Sequence, residues 1–193
     1  MFELAPQLEA DTVLIGKTPL NRILLMNDSR FPWLILVPER REITEPFDLS
    51  DHDQSVLWQE SMVVGKMMKS FFNAQKLNIA ALGNQVSQLH IHHIARFRAD
   101  AAWPHPVWGA GVAEPYERDA LRGRGGGHKQ VFTVLLVRAL LRDVLQVLGV
   151  RHRPRLFGGQ GGCAAIRQPR FNVQSGGSRF FASAARVHER RPE

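Results

Sequence analysis

Gly83-Asn84-Gln85-Val86-Ser87-Gln88-Leu89-His90-Ile91-His92-His93-Ile94-Ala95-Arg96 decides how this chain is read. Three of the chain's eight histidines lie in this stretch, and a fourth, His105, follows shortly after it. The residue pattern predicts a strand over Gln88–Ala95, in which Gln88, His90 and His92 share one face and Leu89, Ile91 and His93 the other. Two imidazoles on one rigid face can converge on a single phosphate. One then acts as nucleophile while the other donates a hydrogen bond or manages a proton. A single strand histidine is ordinarily structural or superficial, and His93 keeps that reading. For the pair His90 and His92, spacing alone leaves structural and functional roles open. A zinc site would need further ligands that the neighbouring sequence does not supply.

Outward from the motif, the first 120 residues alternate strand-like and helix-like signals. Thr12-Val13-Leu14-Ile15, closed by Gly16, and Asn21–Met26 read as two strands, with Lys17-Thr18-Pro19 as the turn between them. After the polar turn Asn27-Asp28-Ser29-Arg30, the continuous apolar run Trp33–Val37, ended by Pro38, fits a strand buried on both faces. A loop with Glu39-Arg40-Arg41-Glu42 and Pro46 follows. Ser50 is then placed to cap a helix, which apolar residues from Val56 to Phe72 carry at helical spacing. Leu77–Leu82 predicts one more strand before the motif, joined to it around Gly83-Asn84. Three strands, a long helix and two strands give an α+β domain with a largely antiparallel sheet.

The motif resembles the signature of the histidine-triad (HIT) family, in which a glycine precedes His-x-His-x-His by a short phosphate-contacting turn. Gly83 falls seven residues before His90, which puts His90 at the nucleophile position and His92 at the third histidine. The order of elements agrees with that family over about residues 1–115, and Trp103-Pro104 and Trp108-Gly109 resemble a segment found after the motif in some branches. What the resemblance implies is a HIT-like α+β domain that commonly pairs as a homodimer. It further implies a nucleoside phosphate hydrolase or nucleotidyl transferase working through a nucleotidyl-histidine, on nucleoside phosphoramidates or dinucleoside polyphosphates. His90, with His92 and Gln88, would form the catalytic group; Asn27, near the ribose, and Gly83, Asn84 and Gln85, around the phosphate, would bind the nucleotide. No metal and no cofactor are expected. Gln88 departs from the family pattern, standing where the first histidine would be. Glutamine hydrogen-bonds but carries no titratable proton, so proton shuttling is affected more than phosphate binding. A second departure is Glu39-Arg40-Arg41-Glu42 in place of a histidine usual after the third strand. The Gln-Leu-His-x-His pattern resembles a bacterial branch of the family, and a binding module with little turnover is the alternative reading.

Composition bounds the remaining possibilities. The chain has 193 residues and one cysteine, Cys163, so it has neither an internal disulfide framework nor a cysteine-based zinc cluster; a lone thiol suits a reducing cytoplasm. The first residues, Met1-Phe2-Glu3-Leu4-Ala5-Pro6, do not read as a signal peptide. The longest apolar stretch, Val131–Val150, contains Arg138, Arg142 and Asp143. Each of these would cost roughly 2.5–3.5 kcal/mol at a bilayer centre, so no membrane span is expected. The net charge of +7 is unevenly spread: residues 121–193 hold 14 Lys and Arg against 3 Asp and Glu. They also hold 11 of the 16 glycines, and 13 of their 14 basic residues are arginine. A nucleic-acid role would therefore belong to this tail, residues 116–193, rather than to the domain, and is the least favoured class. One candidate helix, 131–150, interrupts a tail that otherwise reads as loop or disorder. Such Arg- and Gly-rich composition also fits a shifted reading frame in a GC-rich gene.

Overall fold

The computed structural model describes residues 1–121 together with 146 and 148. The expected helix over 131–150, apart from those two positions, and the remainder of the basic tail lie outside the described residues. The elements run α1 (Pro6–Asp11), β1 (Thr12–Lys17), β2 (Asn21–Met26), β3 (Trp33–Pro38), α2 (Asp51–Phe71), β4 (Lys76–Ala81), β5 (Ile91–Arg96) and α3 (Arg118–Leu121). The five strands form one sheet in the order β1-β2-β3-β5-β4, and each neighbouring pair is antiparallel. The α+β architecture and antiparallel sheet expected from the sequence are those observed.

Ser50 caps α2, its hydroxyl accepting from the backbone N–H of Asp53 at 3.2 Å, with Asp51 and Asp53 in the first turn where the helix dipole favours them. All six residues of β3 are buried, as its unbroken apolar run predicts. The motif strand begins later than Gln88. Pairing starts at Ile91, which faces Leu36 of β3 and Ala81 of β4. Beyond that point both neighbours fail: β4 ends before Gly83, and β3 runs into Pro38, which has no N–H to donate. The backbone N–H of Leu89 turns instead to the carbonyl of Ile43.

Two apolar layers flank the sheet. On one face α2 packs through Leu57, Val64 and Met68 over Ile23, Leu25, Leu36, Ile91 and Ala95. A polar clasp fixes α2 to the β1–β2 turn: buried Glu60 accepts from the hydroxyl of Thr18, from Asn21 Nδ2 at 2.5 Å and from the backbone N–H of Leu20 at 3.2 Å. The other face carries Trp33, Ile35, Val37 and Ile94, covered by Leu8 of α1 and by Ala102 and Val107 from the segment after β5. Ordered packing continues past residue 115, where Tyr116 and Ala120 are buried. Among the described residues, no helix is long and apolar enough to cross a membrane.

Candidate active site

β5 divides its histidines between the two faces, as the two-residue period requires. His93 points to α2, fully buried. Its Nδ1–H donates to the Ile91 carbonyl at 3.2 Å, so Nε2 accepts from the hydroxyl of Ser61 at 2.8 Å. Burial pushes its pKa down to about 4, against the opposing pull of its two hydrogen bonds. His93 is therefore a neutral structural histidine.

His90 and His92 face the opposite way and line a cavity of about 380 Å³, within the usual size range of small-molecule sites (~300–1,000 Å³). Their rings meet edge-on with centroids 4.8 Å apart, and each residue is 6 % exposed. The hydrogen bonds fix which nitrogen of each carries a proton. His90 Nδ1 lies 2.7 Å from the carbonyl of Gln88, which only accepts. Neutral His90 therefore has its proton on Nδ1 and a lone pair on Nε2. His92 is the reverse: Trp33 Nε1–H, which only donates, reaches His92 Nδ1 at 2.9 Å. Its proton is consequently on Nε2. Burial first, then the neighbouring His90 and His93, depresses the pKa of His92 to about 3. The site thus pairs one imidazole with a free lone pair and one with a free N–H.

Of the residues singled out from the sequence, Asn84 and Gln85 join His90 and His92 in the cavity lining. Gly83, at the exit of β4, does not line it. Asn27 does not line the cavity: its Oδ1 accepts from the backbone N–H of Tyr116 at 2.9 Å, and its backbone N–H donates to the Asp11 carbonyl. Gln88 also lies outside the lining. Its Nε2 donates to the carbonyl of Glu3 and its Oε1 accepts from the N–H of Ala5, both at 2.9 Å. The side-chain amide so treats residues 3–5 as a strand neighbour would, and holds the N-terminal segment against the motif.

That segment supplies a wall the sequence does not advertise. Gln7, Leu8 and Asp11 of α1 line the cavity, with Asp11 accepting from Gln7 Nε2 at 2.6 Å. Trp33 was legible only as a buried strand residue. The pairing of Trp33 with Ile94 puts it diagonal to His92 on the same face, within reach of a long side chain. Trp108 comes from the segment after β5 and packs edge-on against both His92 and Trp33 at 5.2 and 5.5 Å. A buried arginine anchors this segment. Arg96 binds both oxygens of Asp100 at 2.8 and 3.0 Å, Asn78 Oδ1 at 2.7 Å and the carbonyl of His105 at 2.8 Å. Although burial pushes the Asp100 carboxyl up, Arg96 and the N–H groups of Phe97 and Ala102 hold it below the usual range. Among the described residues, no group of three or more His, Cys, Asp and Glu side chains is arranged to hold a metal ion.

An antiparallel five-stranded sheet whose motif strand offers paired imidazoles to a small cavity defines a class, and similarity to known proteins gives the family. The HIT domain profile matches residues 7–99. A histidine-triad protein from Marinobacter aquaeolei VT8 is 40 % identical, the match covering 77 % of this chain and 98 % of that one, with a TM-score of 0.66. A histidine-triad protein from Sinorhizobium meliloti 1021 is 44 % identical over 70 % of this chain and 95 % of its own, with a TM-score of 0.63. One from Bradyrhizobium japonicum is 40 % identical over 72 % and 98 %, with a TM-score of 0.64. No curated protein matches the chain. The chain belongs to the histidine-triad family.

Proposed function

We propose that this protein binds a nucleoside phosphate in the cavity beside β5 and cleaves it through a covalent intermediate on His90. The observation that carries this reading is the bond from His90 Nδ1 to the Gln88 carbonyl, which leaves the Nε2 lone pair free in a histidine that lines the cavity. In the first step Nε2 attacks the α-phosphorus, an N–P bond forms, and the bond to the leaving group breaks with its electron pair. The new imidazolium keeps its Nδ1–H bond to Gln88. Water then attacks phosphorus, the N–P pair returns to Nε2, and a nucleoside monophosphate is released. Division into two displacements is the general advantage of covalent catalysis. His92 Nε2–H would hold a phosphate oxygen, Asn84 and Gln85 would cradle the charge, Gly83 would form the turn that presents them, and Asn27 would support the ribose end. Gln88 supports His90 through its carbonyl and the site wall through its amide.

His90→Ala tests the assignment on a panel of nucleoside phosphoramidates and dinucleoside polyphosphates. Release of monophosphate should fall by roughly 10³-fold or more, while the thermal transition stays where it was. Undiminished turnover refutes the nucleophile. A binding module without turnover is the second reading, favoured because Gln88 carries no titratable proton. Failure to trap any adduct on His90 with the whole panel would select it. We further propose a cytoplasmic homodimer formed through β4, one of the two outer strands of the sheet, each with one edge unpaired. Light scattering at micromolar concentration should give twice the chain mass.

A further inference from the structure

We propose that Trp33 is the positioning residue that fixes His92 as a neutral hydrogen-bond donor, and that the site therefore favours nucleoside phosphates whose leaving group departs as an anion. This rests on the reading of His90 as nucleophile. Such leaving groups are a second phosphate, a polyphosphate, a sulfate or a carboxylate. An alkylamine is the contrary case, since it leaves only after taking a proton.

The site has few protons to deliver. Both nitrogens of His92 are committed in its neutral form: Nδ1 to the indole N–H of Trp33, and Nε2 to its own hydrogen. Further protonation would have to occur at Nδ1, where it would break the 2.9 Å bond and set two N–H groups against each other in a buried space. Burial and the flanking histidines act in the same direction, holding the pKa near about 3. The groups around His92 offer little relief. His90 enters the reaction through its lone pair, and His93 is on the far face with Ser61. Gln88 cannot titrate. Asp11 of α1 is the remaining acid in the cavity wall, and it meets Gln7 as an acceptor. The position that could shuttle a proton in a full triad is thus a structural clip, and the last histidine is locked as a donor. A neutral N–H stabilises charge growing on a phosphate oxygen or on a departing oxyanion without surrendering its proton. When the leaving group is an anion, the balance closes. The N–P bond forms as the P–O bond breaks, the pair stays on the departing oxygen, and the proton of the hydrolytic water passes to solvent in the second step.

A positioned general acid contributes typically ~10²–10⁴-fold, and a site without one should show that deficit on amine substrates alone. The wild-type chain is therefore assayed on two substrates sharing an adenylyl group, a diadenosine polyphosphate and an adenosine phosphoramidate of an alkylamine. The expected kcat/KM favours the polyphosphate by about 10²-fold or more. Equal or better cleavage of the phosphoramidate overturns the preference, as does its selective loss in Asp11→Asn, which would identify a carboxyl donor. Independently of turnover, long-range ¹H–¹⁵N spectra of the nucleotide-free protein should report His92 as a single Nε2–H tautomer, unprotonated down to pH 5. An Nδ1–H tautomer or an imidazolium at that pH overturns the role of Trp33. Trp33→Phe keeps an aromatic ring and removes the donor. It should release His92 into tautomer exchange and lower kcat about 10-fold or more, with KM little changed. A loss confined to KM would overturn positioning. Because the spectra need neither substrate nor variant, they decide the clamp even if His90 proves not to be the nucleophile. Absence of turnover on both substrates would sink the leaving-group preference together with the activity.

Discussion

His92 and His93 are adjacent in the chain, yet one lines a cavity and the other is sealed beneath α2. Their substitutions should therefore separate cleanly. Ser61→Ala leaves the buried Nε2 of His93 without a partner and should cost about 1–3 kcal/mol of stability, measured by urea unfolding, with kcat unchanged. Gln88→Glu keeps size and an acceptor but loses the donor to the Glu3 carbonyl. About 1–2 kcal/mol of stability should be lost, the amides of residues 3–5 should exchange faster, and KM should rise. An unchanged exchange rate would refute the clip. The division of His90 and His92 from His93 could be read directly from strand alternation. The service performed by Gln88 could not. Its partners are main-chain atoms more than eighty residues away, and a backbone N–H or C=O leaves no trace in residue identity. The departure from the family pattern was visible as a lost histidine, but what replaced it is a contact with the N-terminal segment.

At the level of elements, some of the boundaries that the sequence marks with chemistry are those observed, while β1 runs on through Gly16 to Lys17. Ser50 opens α2 where a hydroxyl is needed, and β2 spans Asn21–Met26 as its apolar run does. Alternation predicts a motif strand that starts three residues before the observed one, because it persists in Gln88-Leu89-His90 after both neighbouring strands have ended. Extended backbone alone does not make a ladder; partners do. α1 has no signature in the sequence because six residues, with Leu8 alone buried, present too short a pattern to show helical periodicity. The clasp between α2 and the β1–β2 turn was likewise hidden, since Glu60 falls among residues that read as the polar side of a helix. Glu60→Ala strands three donors, two of them backbone or amide N–H groups, in a buried place. It should destabilise by roughly 3 kcal/mol or more, visible as a shifted chemical-denaturation midpoint.

For the molecule as a whole, stability should fall on the acid side of neutrality. His92 and His93 are neutral when folded, with pKa values of about 3 and about 4, against about 6.5 in an unfolded chain. Between pH 6.5 and pH 4 the unfolded state therefore binds more protons, and unfolding is favoured as pH drops through that window. The depressed carboxyls of Asp28 and Asp100 add to the loss lower down. Each kcal/mol lost should lower the melting temperature by ~2–4 °C, and a transition independent of pH over this range would contradict the burial of both histidines. One arrangement also has an optical consequence. Trp33 and Trp108 both rest on the His92 ring, whereas Trp58 and Trp103 are well exposed to solvent. An external quencher such as iodide should silence the exposed pair and leave the emission of the inner two. Their fluorescence then becomes an intrinsic, label-free gauge of what occupies the cavity.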